Sequence, residues 1–80
     1  MARIIDGKKQ NIIGENAKRL RLEKGMSQKT LSERLETFAV YICRGSISRI
    51  ENCTRTVSDI EIFGLSRALG VPVEQLFKSG

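Results

Sequence analysis

Apolar residues along the chain recur mostly at helical spacing. Ile13, Ala17 and Leu20 fall at i, i+4 and i+7 behind Asn11, a plausible N-cap, and Gly25 supplies a stop, which predicts a first helix over about residues 12–24. Ser27 then opens a second helix, QKTLSERLE, with Leu31 and Leu35 facing inward, Met26 positioned to staple onto Leu31, and Ser32 small enough to let another helix approach. In a third helix, about 44–52, Ser46, Ile47 and Ile50 share one side. Gly45, Ser48, Arg49 and Asn52 lie opposite, with Arg44 at the edge. The fourth helix has the clearest start: Ser58 and Glu61 form a capping box, Val57 can staple to Ile62, and Gly70 follows the last residue, Leu69. Pro72 fits the first position of a short fifth helix, VEQLF, in which Leu76 and Phe77 are expected to close the core.

Two stretches break this rhythm. In ETFAVYICRG, Phe38, Val40 and Ile42 alternate with Ala39, Tyr41 and Cys43, which predicts an extended connection with one buried side. Residues 1–10 combine polar and basic positions with Gly7 and an isolated Ile4 and Ile5 pair, and read as a flexible basic arm ahead of a folded domain over 11–80. Arg3, Lys8 and Lys9 of such an arm suit a phosphate backbone or a minor groove. With 80 residues the chain has room for one domain, and the expected architecture is all-α, a compact five-helix bundle.

Composition narrows the chemistry. A formal charge of +5 favours a polyanionic partner, although only the positions of the basic residues can separate a binding face from a solvated one. The absence of His and the wide spacing of Cys43 and Cys53 leave neither a zinc motif nor a disulfide framework, so no metal and no cofactor is expected. No nucleophile has a base beside it and no Gly-rich phosphate loop occurs, which argues against an enzyme and gives no sign of a small-molecule ligand. Nothing resembles a signal peptide or the run of about 20 apolar residues that spans a bilayer, so a reduced, cytoplasmic chain without membrane contact is expected.

The segments IGENAKRLRLEKGMSQKTLSERL, SISRIEN and SRALGVPVEQLF, in that order, are similar to the Cro and phage-repressor type of helix-turn-helix domain, the XRE family, over about residues 12–77. SQ-x-x-L by itself is a weak signal; three separated matches in order are a strong one. The resemblance implies a lambda-repressor-like fold and double-stranded DNA as partner. It also implies a sequence-specific transcriptional regulator, of the repressor kind, that sets its third helix in the major groove of a palindromic operator as a homodimer. Arg44, Gly45, Ser48 and Arg49 match positions facing base edges, where the Arg fork can donate twice to guanine, worth about 1–3 kcal/mol of discrimination. Arg44, at the helix entrance, fits a phosphate as well. Gln28 matches a phosphate-binding position at the start of the second helix, and Lys29, Ser46, Asn52, Thr54 and Arg55 complete the backbone contacts implied, the last three being otherwise a polar turn. Arg21 and Glu51 match a partly buried ion pair that fixes orientation.

Two features depart from the family pattern. Glu36 stands where a Gly usually turns the chain after the second helix, and the connection is about five residues longer; the second helix is expected to gain part of a turn, with Val40 and Ile42 tucked onto the core. Cys53 stands where Gly usually forms a left-handed cap, so either Asn52 takes that conformation or the cap is strained. Cys43 and Cys53 flank the third helix, as inert small side chains or as an oxidation-sensitive pair. A dimer contact would come from the arm, the fifth helix or its junction with the fourth, through exposed parts of Val73, Leu76 and Phe77, unless all three are core. A protein-interaction module on the same fold, such as an antitoxin or antirepressor, is the other reading.

Overall fold

The computed structural model describes residues 9–78, and the described chain holds five α-helices and no strand. They are α1 (Gly14–Glu23), α2 (Gln28–Glu36), α3 (Arg44–Glu51), α4 (Asp59–Leu69) and α5 (Glu74–Phe77). The expected arm falls, except for Lys9 and Gln10, outside the described residues, as do residues 79 and 80. Lys9 pairs with Glu15 at 3.2 Å, and the Gln10 N–H donates to the Cys53 carbonyl.

α1 starts two residues later than expected because Asn11 acts from a distance. Its Oδ1 accepts from the N–H groups of Ile13 and Gly14, while its Nδ2 donates to the carbonyls of Ile50 and Arg55. One buried amide thus satisfies two of the donors at the start of α1 and ties that helix to the end of α3. Gly14 permits this crossing, since a Cβ there would stand 1.9 Å from the Ile50 carbonyl oxygen. Ser27 caps α2 through the Thr30 N–H, and Ser58 and Glu61 form the reciprocal capping box on α4.

Four helices end in one device, a pair of hydrogen bonds around a left-handed residue. After α1, α2, α3 and α4 that residue is Gly25, Ala39, Cys53 and Gly70, with φ near +70°, +60°, +61° and +69°. At each end its N–H reaches back three residues and the next N–H reaches back five, as Ala39 does to Glu36 and Val40 to Leu35. Two of the four ends therefore bend on a side-chain-bearing residue at a cost of about 1–2 kcal/mol each, and both flank the connection and α3. Cys53, not Asn52, takes the left-handed turn, and the cap is the strained one of the two arrangements considered.

The long connection is ordered. Thr37 and Phe38 extend α2 by a tightened turn, and Val40 and Ile42 enter the core while Phe38, Ala39 and Tyr41 stay exposed. Gly64 makes room for it: a Cβ on α4 there would lie 2.8–2.9 Å from Val40. Ser32 Oγ donates to the Ile42 carbonyl at 2.7 Å, so the small residue of α2 anchors the connection rather than merely admitting a helix.

α2 packs against α3 and α4, and α1 against α3, α4 and α5. Leu31, Leu35, Ile47, Ile50 and Leu69 are fully buried between them, each contributing about 1.5–3 kcal/mol by leaving water. α5 corrects two expectations. It begins at Glu74, with the Pro72 carbonyl accepting from Gln75, so Pro72 precedes the helix; and Leu76 alone closes the core, while Phe77 is half exposed on an open groove shared with Ile12, Val57 and Ile62. Asn16 ties this short helix to α1 by donating to the carbonyls of Leu76 and Lys78.

Candidate nucleic-acid interface

α3 is amphipathic over only eight residues. Ile47 and Ile50 point into the core, and Glu51 is buried beside them. Arg44, Gly45 and Arg49 are exposed and Ser48 is half-buried on the outward side, so the four positions expected to face bases form one surface. Gly45 has no internal reason to be Gly, since its φ is not positive and a Cβ would meet nothing within 4 Å. A helical Gly costs about 1 kcal/mol relative to Ala, and what it offers is bare backbone open to close approach from outside.

Helical spacing puts Ser46 on the inner side with Ile47 and Ile50, and the structure corrects this. It is half-buried, and its hydroxyl accepts from Arg49 Nη2 at 3.0 Å and from the Cys43 thiol at 3.4 Å. The i, i+3 spacing brings residues 46 and 49 together, so Ser46 orients the guanidinium rather than packing. Cys43 is exposed at the N-cap of α3, where the Ser46 hydroxyl foremost, with the N–H groups of Ser46 and Gly45 and the nearby Arg49 charge, holds its thiol below the usual pKa. Cys53 is buried.

A charged network behind this surface fixes the angle of α3. Arg21 Nε and Nη2 donate to the Glu51 carboxylate at 2.6 and 3.0 Å, in a bidentate pair whose side chains are 8% and 2% exposed. Arg21 Nη1 also donates to the Met26 carbonyl, and Gln28 Nε2 donates to Glu51 Oε1 at 3.0 Å. Gln28, expected as a phosphate contact, is thus half-buried at the start of α2 with its amide on Glu51, while Lys29 beside it is exposed.

Past α3, Asn52 and Thr54 are exposed, and Thr54 Oγ1 donates to the Arg49 carbonyl. Arg55 forks onto Glu61 through Nη1 and Nη2 at 3.0 and 2.8 Å. That hydrogen-bonded pairing raises the Arg55 pKa and holds the Glu61 carboxyl below its ordinary range. Glu61 serves this pair and the α4 capping box together, a double use that the spacing of residues 55, 58 and 61 hints at but does not fix. Sequence reasoning named Asn11 as a cap of the first helix but missed the ties of its amide to the carbonyls of Ile50 and Arg55.

Two short helices, the second held by its apolar side and presenting a bare, basic outer side, define a helix-turn-helix domain. The sequence profile of the helix-turn-helix family matches residues 18–76, and the chain belongs to that family, in its Cro and phage-repressor branch, as a DNA-binding transcription regulator. Among solved structures it is similar to the restriction-modification controller protein C.AhdI from Aeromonas hydrophila, with a TM-score of 0.72 and 31% identity over 81% of this chain and 91% of that one. A hypothetical transcription factor, NHTF from Neisseria, shares the fold at a TM-score of 0.73 and 24% identity, over 98% of this chain and 85% of that one. No curated protein matches. None of the described helices is long and apolar enough to cross a membrane.

Proposed function

We propose that this chain is a sequence-specific repressor that sets α3 in the major groove of a palindromic operator and binds it as a homodimer. The observation that carries the reading is the outward face of α3. Arg44 and Arg49 stand over a helix pinned by Ile47 and Ile50, with Ser46 orienting one guanidinium and Gly45 leaving the backbone bare. In this arrangement Arg44, Gly45, Ser48 and Arg49 read base edges. Lys29, Ser46, Asn52 and Thr54 take phosphates; Gln28 and Arg55 do so while each keeps its carboxylate partner. Likeness to a restriction-modification controller supports a regulatory role.

A single domain of this size makes too few contacts for the nanomolar affinity of specific repressors, which favours two copies about 34 Å apart along the duplex. Leu76 is fully buried, so around α4 and α5 the apolar surface that could meet a second copy is on Ile60, Phe63, Val73 and Phe77. The Arg67 guanidinium lies over the Phe63 ring, 5.0 Å from its centroid, so part of this surface is already covered by a cation.

Selection of bound sequences from a random duplex pool tests the reading, and the expected product is a site with two-fold symmetry. Arg49→Ala should then cost about 1–3 kcal/mol of affinity and relax base preference at one position per half-site, with the fold intact by circular dichroism. An enriched site to which the variant binds as the parent does would instead favour the protein-interaction module.

A further inference from the structure

Tyr41 has no role in the fold. Its neighbours do: Val40 and Ile42 are buried, the Val40 N–H is held by the Leu35 carbonyl, the Ile42 carbonyl by Ser32, and the Val40 side chain sits over Gly64. Because side chains alternate along extended backbone, fixing these two turns the ring between them outward, and it remains 77% exposed. A scattered exposed aromatic needs no explanation, but the position of this one matters. It lines an open groove of ≈ 420 Å³ together with Cys43, Arg44 and Ser46, and the Ser46 hydroxyl is the one that receives Arg49. The phenol therefore stands at the entry end of α3, beside the reading face. Glu36, Arg44 and Arg55 line the same groove, and Arg55 is already forked onto Glu61, so the Arg44 guanidinium beside Tyr41 is the charge there that suits an anion.

We propose that Tyr41 is a further DNA-positioning residue, whose phenolic hydroxyl donates to a backbone phosphate flanking the bases read by α3. The inference rests on the DNA reading above and extends it to the lengthened connection, which then grips the duplex just outside the half-site. A phosphate contact fixes register without carrying base information, and Tyr is among the neutral side chains that make it.

The test uses the full chain and the duplex it enriches from a random pool, with Tyr41→Phe, Tyr41→Ala and Arg49→Ala measured over a series of salt concentrations. Both Tyr41 variants should bind about tenfold more weakly than the parent and equally to each other, since the hydrogen bond to a charged acceptor is what both lose. The salt slope should stay unchanged, because a neutral donor displaces no counterion, and base preference should not move. Tyr41→Phe binding as tightly as the parent overturns the phosphate contact, whether or not Tyr41→Ala is weaker, because only the ring would then matter. In that case a weakened Arg49→Ala leaves the DNA reading standing. Should Arg49→Ala also bind as the parent does, the failure belongs to the underlying reading. Far-UV circular dichroism establishes that each variant is folded.

Discussion

Gly45 and Arg49 are residues that the fold itself does not call for. On an exposed helix side with open space around it, Ala would be the better choice for stability. Gly45→Ala is therefore expected to stabilise the chain by about 0.5–1 kcal/mol in urea denaturation while weakening duplex binding several-fold, because a methyl group would keep α3 off the base edges. Unchanged or tighter duplex binding in a variant that is more stable would mean that the bare backbone has no outside partner. Arg49 makes the same point through its side chain, which contributes no packing and is given direction by one hydroxyl.

Among the elements, the helix ends carry the distinctive choices of this sequence. Gly25 and Gly70 close α1 and α4 without strain, whereas α2 and α3 close on Ala39 and Cys53 in the same left-handed conformation. Ala39 is exposed and its methyl is not core, so Ala39→Gly should remove local strain and raise stability by roughly 0.5–1 kcal/mol, the relief being partly offset by the added freedom of the unfolded chain. Cys53 is buried, so Cys53→Gly trades the same relief against a lost side-chain contact and should gain less. Thermal denaturation of the two single variants decides between these outcomes; equal gains would show that the Cys53 side chain packs no better than solvent.

At the scale of the whole molecule, one charged pair orders the parts. Arg21 belongs to α1, Glu51 to the end of α3, and Gln28 to the start of α2, so the Glu51 carboxylate joins three helices around a single buried point. Such pairs add little net stability, but removing one partner strands the other. Arg21→Ala should cost about 3 kcal/mol or more, a large part of the roughly 4–12 kcal/mol available to a chain of this size. Scanning calorimetry should show a much lowered or absent transition. A loss below about 1 kcal/mol would mean that Gln28 and water satisfy the carboxylate unaided, and that the angle of α3 is set by Ile47 and Ile50 alone.

Local chemistry settled the elements in advance. Ser27, the box of Ser58 with Glu61, and the stops at Gly25 and Gly70 act within a few residues, so their effects can be read from spacing, as can the inward turn of Ile47 and Ile50 that frees Arg49. Membership of the helix-turn-helix family was equally legible, because three motifs in order survive a lengthened connection. Contacts between residues far apart in the chain were not. That Asn11 would reach Ile50 and Arg55, that Gln28 would turn to Glu51, that Ser46 would leave the core for Arg49, and that Phe77 would stay half in water depended on where neighbouring helices finally lay. Periodicity reports which side of an element is apolar; the partners of a polar group are chosen only when packing has removed water from around it.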